Sequence, residues 1–83
     1  MTITTEIRKS LEREYKISSS TMSFYKKKIR VLEKKYKMTT TSFLEKFEKG
    51  EAGDEQDFFD WYAFYKLLSS WTNTKNALKP LIK

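Results

Sequence analysis

The segment from Glu55 to Trp71 constrains the fold most, because nearly every turn of it carries large apolar side chains. At about 100° per residue, these side chains cover an arc of about 220° around a helix. A surface helix of a small domain needs an apolar stripe of only somewhat more than about 100°. The segment therefore predicts a helix that is either central in the fold or shared with another chain.

Two interpretations of this wide apolar face remain open. In the first, the helix is the middle of a tiny bundle and all of its rings belong to the core. In the second, one side of the helix is left for a protein partner, since tyrosine and tryptophan are large, rigid side chains with a polar tip. The candidate partner-binding residues are Phe59, Trp61, Phe64, Tyr65, Leu67 and Trp71.

A second and narrower apolar pattern precedes it. Its members are spaced alternately three and four residues apart, which is the spacing of a heptad seam that packs against one neighbouring helix. The seam residues are Met22, Tyr25, Ile29, Leu32 and Tyr36. The seam predicts packing either within the chain or across a homodimer.

The N-terminal region predicts a first helix, with a short extended segment as the alternative. Thr4 or Thr5 would cap a helix on which apolar residues from Ile3 to Tyr15 recur at every fourth position. The β-branched residues at its start suit an extended segment equally well. The polar run from Ile17 to Thr21 is expected to end this helix. Residues 1–20 are therefore expected to form a flexible or weakly helical arm.

Turn and cap residues place the boundaries of two further helices. Thr39 and Ser42 are alternative caps for a short third helix, and Gly50 is expected to end it in a left-handed conformation. Asp54 is expected to cap the fourth helix, the apolar one described above. Acidic residues after a cap complement the helix dipole, so they need no metal or catalytic role.

The C-terminal region contains signals that end helices. Polar residues follow Trp71, and Pro80 prevents a long continuation, so residues 73–83 are expected to form a flexible basic tail. The whole chain, residues 1–83, predicts a single all-α domain. Its expected architecture is a small bundle of three to four helices.

The net charge of +6 is distributed in blocks. Residues 1–39 carry a net charge of +7, residues 40–65 carry −5 and residues 66–83 carry +4. Lysines on a helix are usually a solvated face, but a row of them would also bind nucleic-acid phosphates. The candidate nucleic-acid-binding residues are Lys26, Lys27, Arg30, Lys34 and Lys35.

Histidine and cysteine are absent from the 83 residues. The chain therefore lacks an imidazole base, a thiolate nucleophile and the usual nitrogen and sulfur ligands of zinc. We expect a protein that is not an enzyme and that holds no cofactor or metal. The missing cysteines, together with the lack of a long apolar run or a leader sequence, predict a cytoplasmic protein without a membrane partner.

Residues 32–61 read LEKKYKMTTTSFLEKFEKGEAGDEQDFFDW. This segment joins a basic helix ending in Tyr-x-Met, a Ser/Thr cap, Phe-x-x-x-Phe and the string Gly-Asp-Glu-x-Asp-Phe-Phe-x-Trp. It resembles short helical antitoxin-like proteins of archaeal and cyanobacterial toxin–antitoxin loci. The resemblance implies an antitoxin that neutralises a cognate small toxin by binding it. Members of that family often have glycine where Lys37 precedes Met38, so the turn is expected to differ here.

Overall fold

The computed structural model describes residues 4–82. Within that range the chain forms three α-helices and a final 3-10 turn, with no β-strand. The helices are α1 (Thr5–Tyr36), α2 (Thr40–Glu48) and α3 (Gln56–Leu78), and the 3-10 turn is Lys79–Leu81. The all-α prediction is therefore confirmed. Residues 1–3 and the last residue of the predicted tail lie outside the described residues. The alternative of an extended start is wrong for residues 5–7, which are already helical.

α1 is one continuous helix, so the predicted break between Ile17 and Thr21 is wrong. The hydroxyl of Ser18 donates a hydrogen bond to the Glu14 carbonyl oxygen at 2.9 Å. This bond satisfies the hydroxyl within the helix, and the Ser18 side chain is fully buried. Packing of one face of α1 along α3 outweighs the modest helix propensity of serine. At its start, Thr4 caps α1 by accepting a hydrogen bond from the Ile7 N–H.

α1 and α3 lie antiparallel along most of their length. At one end the rings of Tyr36 and Phe58 are 4.8 Å apart, and at the other Arg8 Nη2 donates to the Ile82 carbonyl oxygen at 2.9 Å. The molecule measures 51 × 21 × 17 Å, with a radius of gyration of 16.6 Å. A compact domain of this length would have about 12 Å. The three helices form an elongated helix pair with α2 packed at one end, and the expected small bundle is not confirmed.

The hydrophobic core lies at the end where α2 joins the pair. Its buried members come from all three helices and are Ile29, Leu32, Phe43, Phe58 and Trp61. The rings of Phe43 and Trp61 stack with centroids 4.1 Å apart and planes 2° apart. This parallel contact fixes α2 against α3.

The seam on α1 packs within the chain. Ile29 and Leu32 are core residues, and Tyr36 packs against the same core. Further along the helix, the ring of Tyr25 lies 5.9 Å from that of Phe64 on α3. The homodimer along this seam stays a prediction, and it would require residues that the single chain already uses.

The helix ends agree in part with the expected caps. Thr39 caps α2, since its hydroxyl oxygen accepts a hydrogen bond from the Ser42 N–H at 3.1 Å. Gly50 follows α2 with φ +74°, and the Glu51 N–H donates to the Lys46 carbonyl oxygen at 2.8 Å. This bond closes a Schellman-type end, as expected. The start of α3 differs from the prediction. A cap at Asp54 would start the helix at Glu55, whereas α3 starts at Gln56.

The predicted break after Trp71 is also wrong, because α3 continues to Leu78. The hydroxyl of Thr72 donates to the Leu68 carbonyl oxygen at 2.7 Å, so this polar residue is satisfied inside the helix. The Lys75 ammonium lies 5.2 Å from the ring centroid of Tyr15, a contact between α3 and α1. Residues 5–20 and 73–78 are thus helical, while flexibility of the arm and tail stays a prediction.

Candidate partner-binding surfaces

Trp61 is a structural residue. It is 0% exposed, and its indole N–H donates to the Thr40 hydroxyl oxygen at 3.0 Å. A side chain without exposed surface offers nothing to a partner in this conformation. Of the six candidate residues, Trp61 is thus part of the core that holds the other candidates in place.

The other five candidates divide by exposure. Phe64, Tyr65 and Trp71 are half-buried, and the contact of Phe64 with Tyr25 places it between α1 and α3. Phe59 is 49% exposed and Leu67 is 41% exposed. The predicted wide face is therefore mainly an intramolecular one, and these last two side chains are the most accessible of the set.

Phe59 and Leu67 lie on the outward side of α3, about two turns apart, and Phe59 lies next to two rings from the α2–α3 contact. The Phe47 ring stacks on that of Tyr62 with centroids 4.7 Å apart, and its edge meets Phe59 at 5.7 Å. Both Phe47 and Tyr62 are half-buried. We call Phe47, Phe59, Tyr62 and Leu67 the outer apolar patch. In the sequence, Phe47 belongs to the predicted third helix, which is α2 in the structure. Only the fold shows that it contacts Phe59 and Tyr62 of α3.

A groove of about 480 Å³ opens between all three helices on another side of α2. It is lined by Ile29 from α1, by Thr40, Thr41, Leu44, Glu45 and Glu48 from α2, and by Tyr65 and Leu68 from α3. Its apolar wall is therefore built by residues distant in sequence. No sequence pattern singles out this groove, because its residues come together only when α2 packs across the helix pair.

The candidate nucleic-acid-binding residues are all exposed on α1, but one differs from the rest. Lys35 Nζ lies 2.6 Å from Asp57 Oδ2, so its charge is engaged by α3. The other four, Lys26, Lys27, Arg30 and Lys34, fall within an arc of about 100° on one side of the helix. They form a row of cations directed away from the core.

Asp57 ties the end of α1 to the start of α3. Its Oδ2 accepts hydrogen bonds from Lys35 Nζ and from the Tyr36 hydroxyl, both at 2.6 Å. These bonds, led by the one from Lys35, hold the pKa of Asp57 below its ordinary value. The same carboxylate raises the pKa of Tyr36 and of Lys35. Asp57 thus has a structural role in joining the helices, beyond the local helix-start role that the sequence indicates.

Large apolar side chains are also exposed on α1. Ile17, Phe24 and Val31 are seven residues apart and form one line along the helix, away from α3. Val31 is 64% exposed, and the Lys28 ammonium lies 5.4 Å from the Phe24 ring centroid. Phe24 and Val31 lie on the side of α1 opposite the seam. Ile17 lies on the same line because α1 continues through the predicted break between Ile17 and Thr21.

Within residues 4–82, no three histidine, cysteine or acidic side chains are grouped so that they would hold a metal ion. None of the helices described here has the length and hydropathy of a membrane span. Comparisons with protein families, with characterised proteins and with solved structures find no match. The antitoxin resemblance therefore stays a prediction.

Proposed function

We propose that this protein is a non-catalytic binding module of antitoxin type, which neutralises a cognate small toxin by covering it. The observation that supports this proposal is the outer apolar patch. Phe59 and Leu67 are exposed about two turns apart on α3, and Phe59 lies beside the Phe47–Tyr62 stack. In a chain of only 83 residues, apolar side chains left outside the core are available to a protein partner.

The patch has the features of an interface anchor. Burying a Phe or Leu side chain completely stabilises a complex by about 1.5–3 kcal/mol. Phe59 and Leu67 are about half exposed, so about half of this stabilisation is still available to a partner. Phe47 and Tyr62 are held by their stacking contact, so they would lose little conformational freedom on binding. The Lys66 ammonium lies 5.3 Å from the Tyr62 ring centroid and supplies a charged rim.

Co-expression tests the proposal. The open reading frame beside the gene is placed under an inducible promoter, alone or together with this protein. We expect growth to stop when the neighbour is expressed alone and to resume when this protein is present. The double variant F59A/L67A should restore growth poorly, because the partner loses two apolar anchors.

A matched control separates binding from folding. The double variant T74A/A77S changes two exposed positions of the same helix outside the patch, and it should protect as the wild type does. Circular dichroism should show wild-type helicity for both double variants. The proposal is wrong if the neighbouring protein is harmless, or if F59A/L67A protects fully.

The row of Lys26, Lys27, Arg30 and Lys34 favours a second candidate function, nucleic-acid binding. Four phosphate contacts would lower the affinity by about a hundredfold between about 50 and 200 mM salt. Fluorescence anisotropy with a labelled duplex and a labelled single strand measures this dependence. The variant K26E/K27E should lose binding, whereas K46E/K49E, with the same charge change in α2 and at the residue that follows it, should retain it. A salt-independent affinity, or equal losses, would exclude this candidate.

A further inference from the structure

The groove between the three helices combines an apolar wall with acidic residues on one side. Ile29 is almost fully buried at its base, while Leu44, Tyr65 and Leu68 are half-buried along it. A volume of about 480 Å³ falls within the range of ligand-binding clefts in proteins. The groove is thus wide enough to receive apolar side chains from another molecule.

The acidic side of the groove comes from α2. Glu45 and Glu48 line it and are both exposed. Lys49 follows Glu45 by four residues, yet the ion pairs formed within residues 4–82 are Arg8–Glu12 and Lys35–Asp57. The two groove carboxylates are therefore available to cations from outside the described part of the chain.

We propose that this groove binds a basic amphipathic helix of the protein partner. Aliphatic side chains of that helix would contact Leu44, Tyr65 and Leu68, and its flanking Lys or Arg side chains would pair with Glu45 and Glu48. Helices with anchors at positions i, i+3, i+4 and i+7 recognise apolar grooves in this way. The inference rests on the proposed function, since it names the chemistry of the partner segment that the module recognises.

Charge complementarity selects this occupant over a nucleic acid. Two carboxylates would repel a phosphate backbone, while they attract a basic helix and steer its approach. A second copy of this chain also offers a candidate helix, because α1 exposes Ile17, Phe24 and Val31 among lysines. Self-association is therefore an outcome that the experiment must distinguish.

The experiment uses the full ¹⁵N-labelled chain and a synthetic helical peptide as the probe. The peptide carries leucine at positions i, i+3, i+4 and i+7, with lysine on both sides of this stripe. A second peptide has glutamate in place of every lysine. We expect the lysine peptide to shift the backbone amide signals of α2 and of Tyr65 and Leu68 in a saturable manner. The glutamate peptide should bind at least about tenfold more weakly.

Variants of the protein test the two carboxylates. E45K/E48K should lower the affinity for the lysine peptide by about tenfold or more, because two attractions become repulsions. E45Q/E48Q removes the charges without adding new ones and should give a smaller loss. E6K/E14K has the same charge change as E45K/E48K at exposed positions of α1, so it should bind as the wild type does. The amide spectrum of each variant reports whether it is folded.

Three results would overturn the inference. The first is equal binding of the lysine and glutamate peptides. The second is a set of shifts confined to α1, and the third is amide shifts that appear on concentrating the protein without peptide, which would indicate a second copy. In the co-expression assay, full protection by E45K/E48K together with failure of F59A/L67A would reject the groove and retain the proposed function. Failure of the wild type to protect would reject the proposed function itself.

Discussion

The indole nitrogen of Trp61 donates a hydrogen bond to the Thr40 hydroxyl oxygen at 3.0 Å, and this contact connects the centre of the core on α3 to the start of α2. The same hydroxyl donates onward to Glu33 Oε2 at 2.9 Å. The Thr40 backbone N–H donates to that carboxylate oxygen at 3.0 Å. Glu33 from α1 thus satisfies a free N–H at the start of α2, and Thr40 satisfies the buried indole of α3.

Replacing Thr40 tests this network. Thr40→Val removes the hydroxyl and leaves the buried Trp61 N–H without its acceptor, so we expect the free energy of unfolding to fall by about 1–3 kcal/mol. Thr40→Ser keeps the hydroxyl and loses only a methyl group, so its loss should be about 0.8 kcal/mol or less. Urea denaturation followed by circular dichroism measures both. Equal losses for the two variants would show that the hydroxyl network contributes nothing beyond packing.

Ser18 is fully buried on α1 where this helix packs along α3. A larger side chain at that position would force the helices apart, so Ser18→Leu should lower the free energy of unfolding by about 1–3 kcal/mol. Ser20→Leu makes the same change at an exposed position and should stay within about 0.5 kcal/mol of the wild type. Thermal and urea unfolding provide the comparison. A neutral Ser18→Leu would mean that α1 and α3 are not in close contact there.

Lys37 ends α1 with a left-handed backbone, at φ 53° and ψ 43°. This conformation costs a residue with a Cβ about 1–2 kcal/mol, while glycine loses about 0.4–1 kcal/mol more entropy on folding. Lys37→Gly should therefore raise the free energy of unfolding by about 1 kcal/mol. Lys37→Ala removes the same charge without relieving the backbone, and it should give no such gain. Lys34→Gly places glycine inside the helix, so it should lower the free energy of unfolding by about 1 kcal/mol.

Asp57 should make stability depend on pH in acid. Its pKa is lower in the folded protein than in the unfolded chain, because Lys35 and Tyr36 bond to its charged form. The resulting stabilisation is present above the ordinary aspartate pKa of about 4 and is lost as pH falls through the folded value. We expect the Tm of the wild type to fall more steeply below about pH 4 than the Tm of Asp57→Asn.

Thermal unfolding from about pH 6 to about pH 2 measures this difference. Asp54→Asn removes an exposed carboxylate that makes no hydrogen bond to Lys35 or Tyr36, so its profile should follow that of the wild type. The raised pKa values of Tyr36 and Lys35 have the opposite sense. The contribution of these two groups to the stability of the fold is present below about pH 10 and is lost in stronger alkali. Identical acid profiles for the wild type and Asp57→Asn would contradict the assigned role of Asp57.

Local chemistry made several parts of the fold predictable. The heptad spacing from Met22 to Tyr36 identifies a helix and its packing face, since side chains three and four residues apart lie on one side. Thr39 and Gly50 set the limits of α2 because a hydroxyl cap and a left-handed residue act within a few positions of the chain. Each of these features depends on near neighbours in sequence.

The serine run and the polar end of α3 show where this reasoning fails. Ser18 and Thr72 have low helix propensity, yet the hydroxyl of each donates a hydrogen bond to the carbonyl oxygen four residues earlier. The two helices that contain them also pack along each other. The contact between α1 and α3 therefore decides that both helices run on, and the molecule becomes elongated. The polar runs contain no information about that contact, because the partner residues are distant in the chain.

The sequence by itself determined an all-α chain with two apolar helix faces and a basic first half, because periodicity and charge are local properties. Only the tertiary structure decided which apolar side chains remain outside. Trp61 enters the core because Phe43 stacks on it and Thr40 accepts its N–H, whereas Phe59, two residues earlier, lies on the outward side of the same helix. The candidate binding surfaces follow from this division, which depends on where α2 packs.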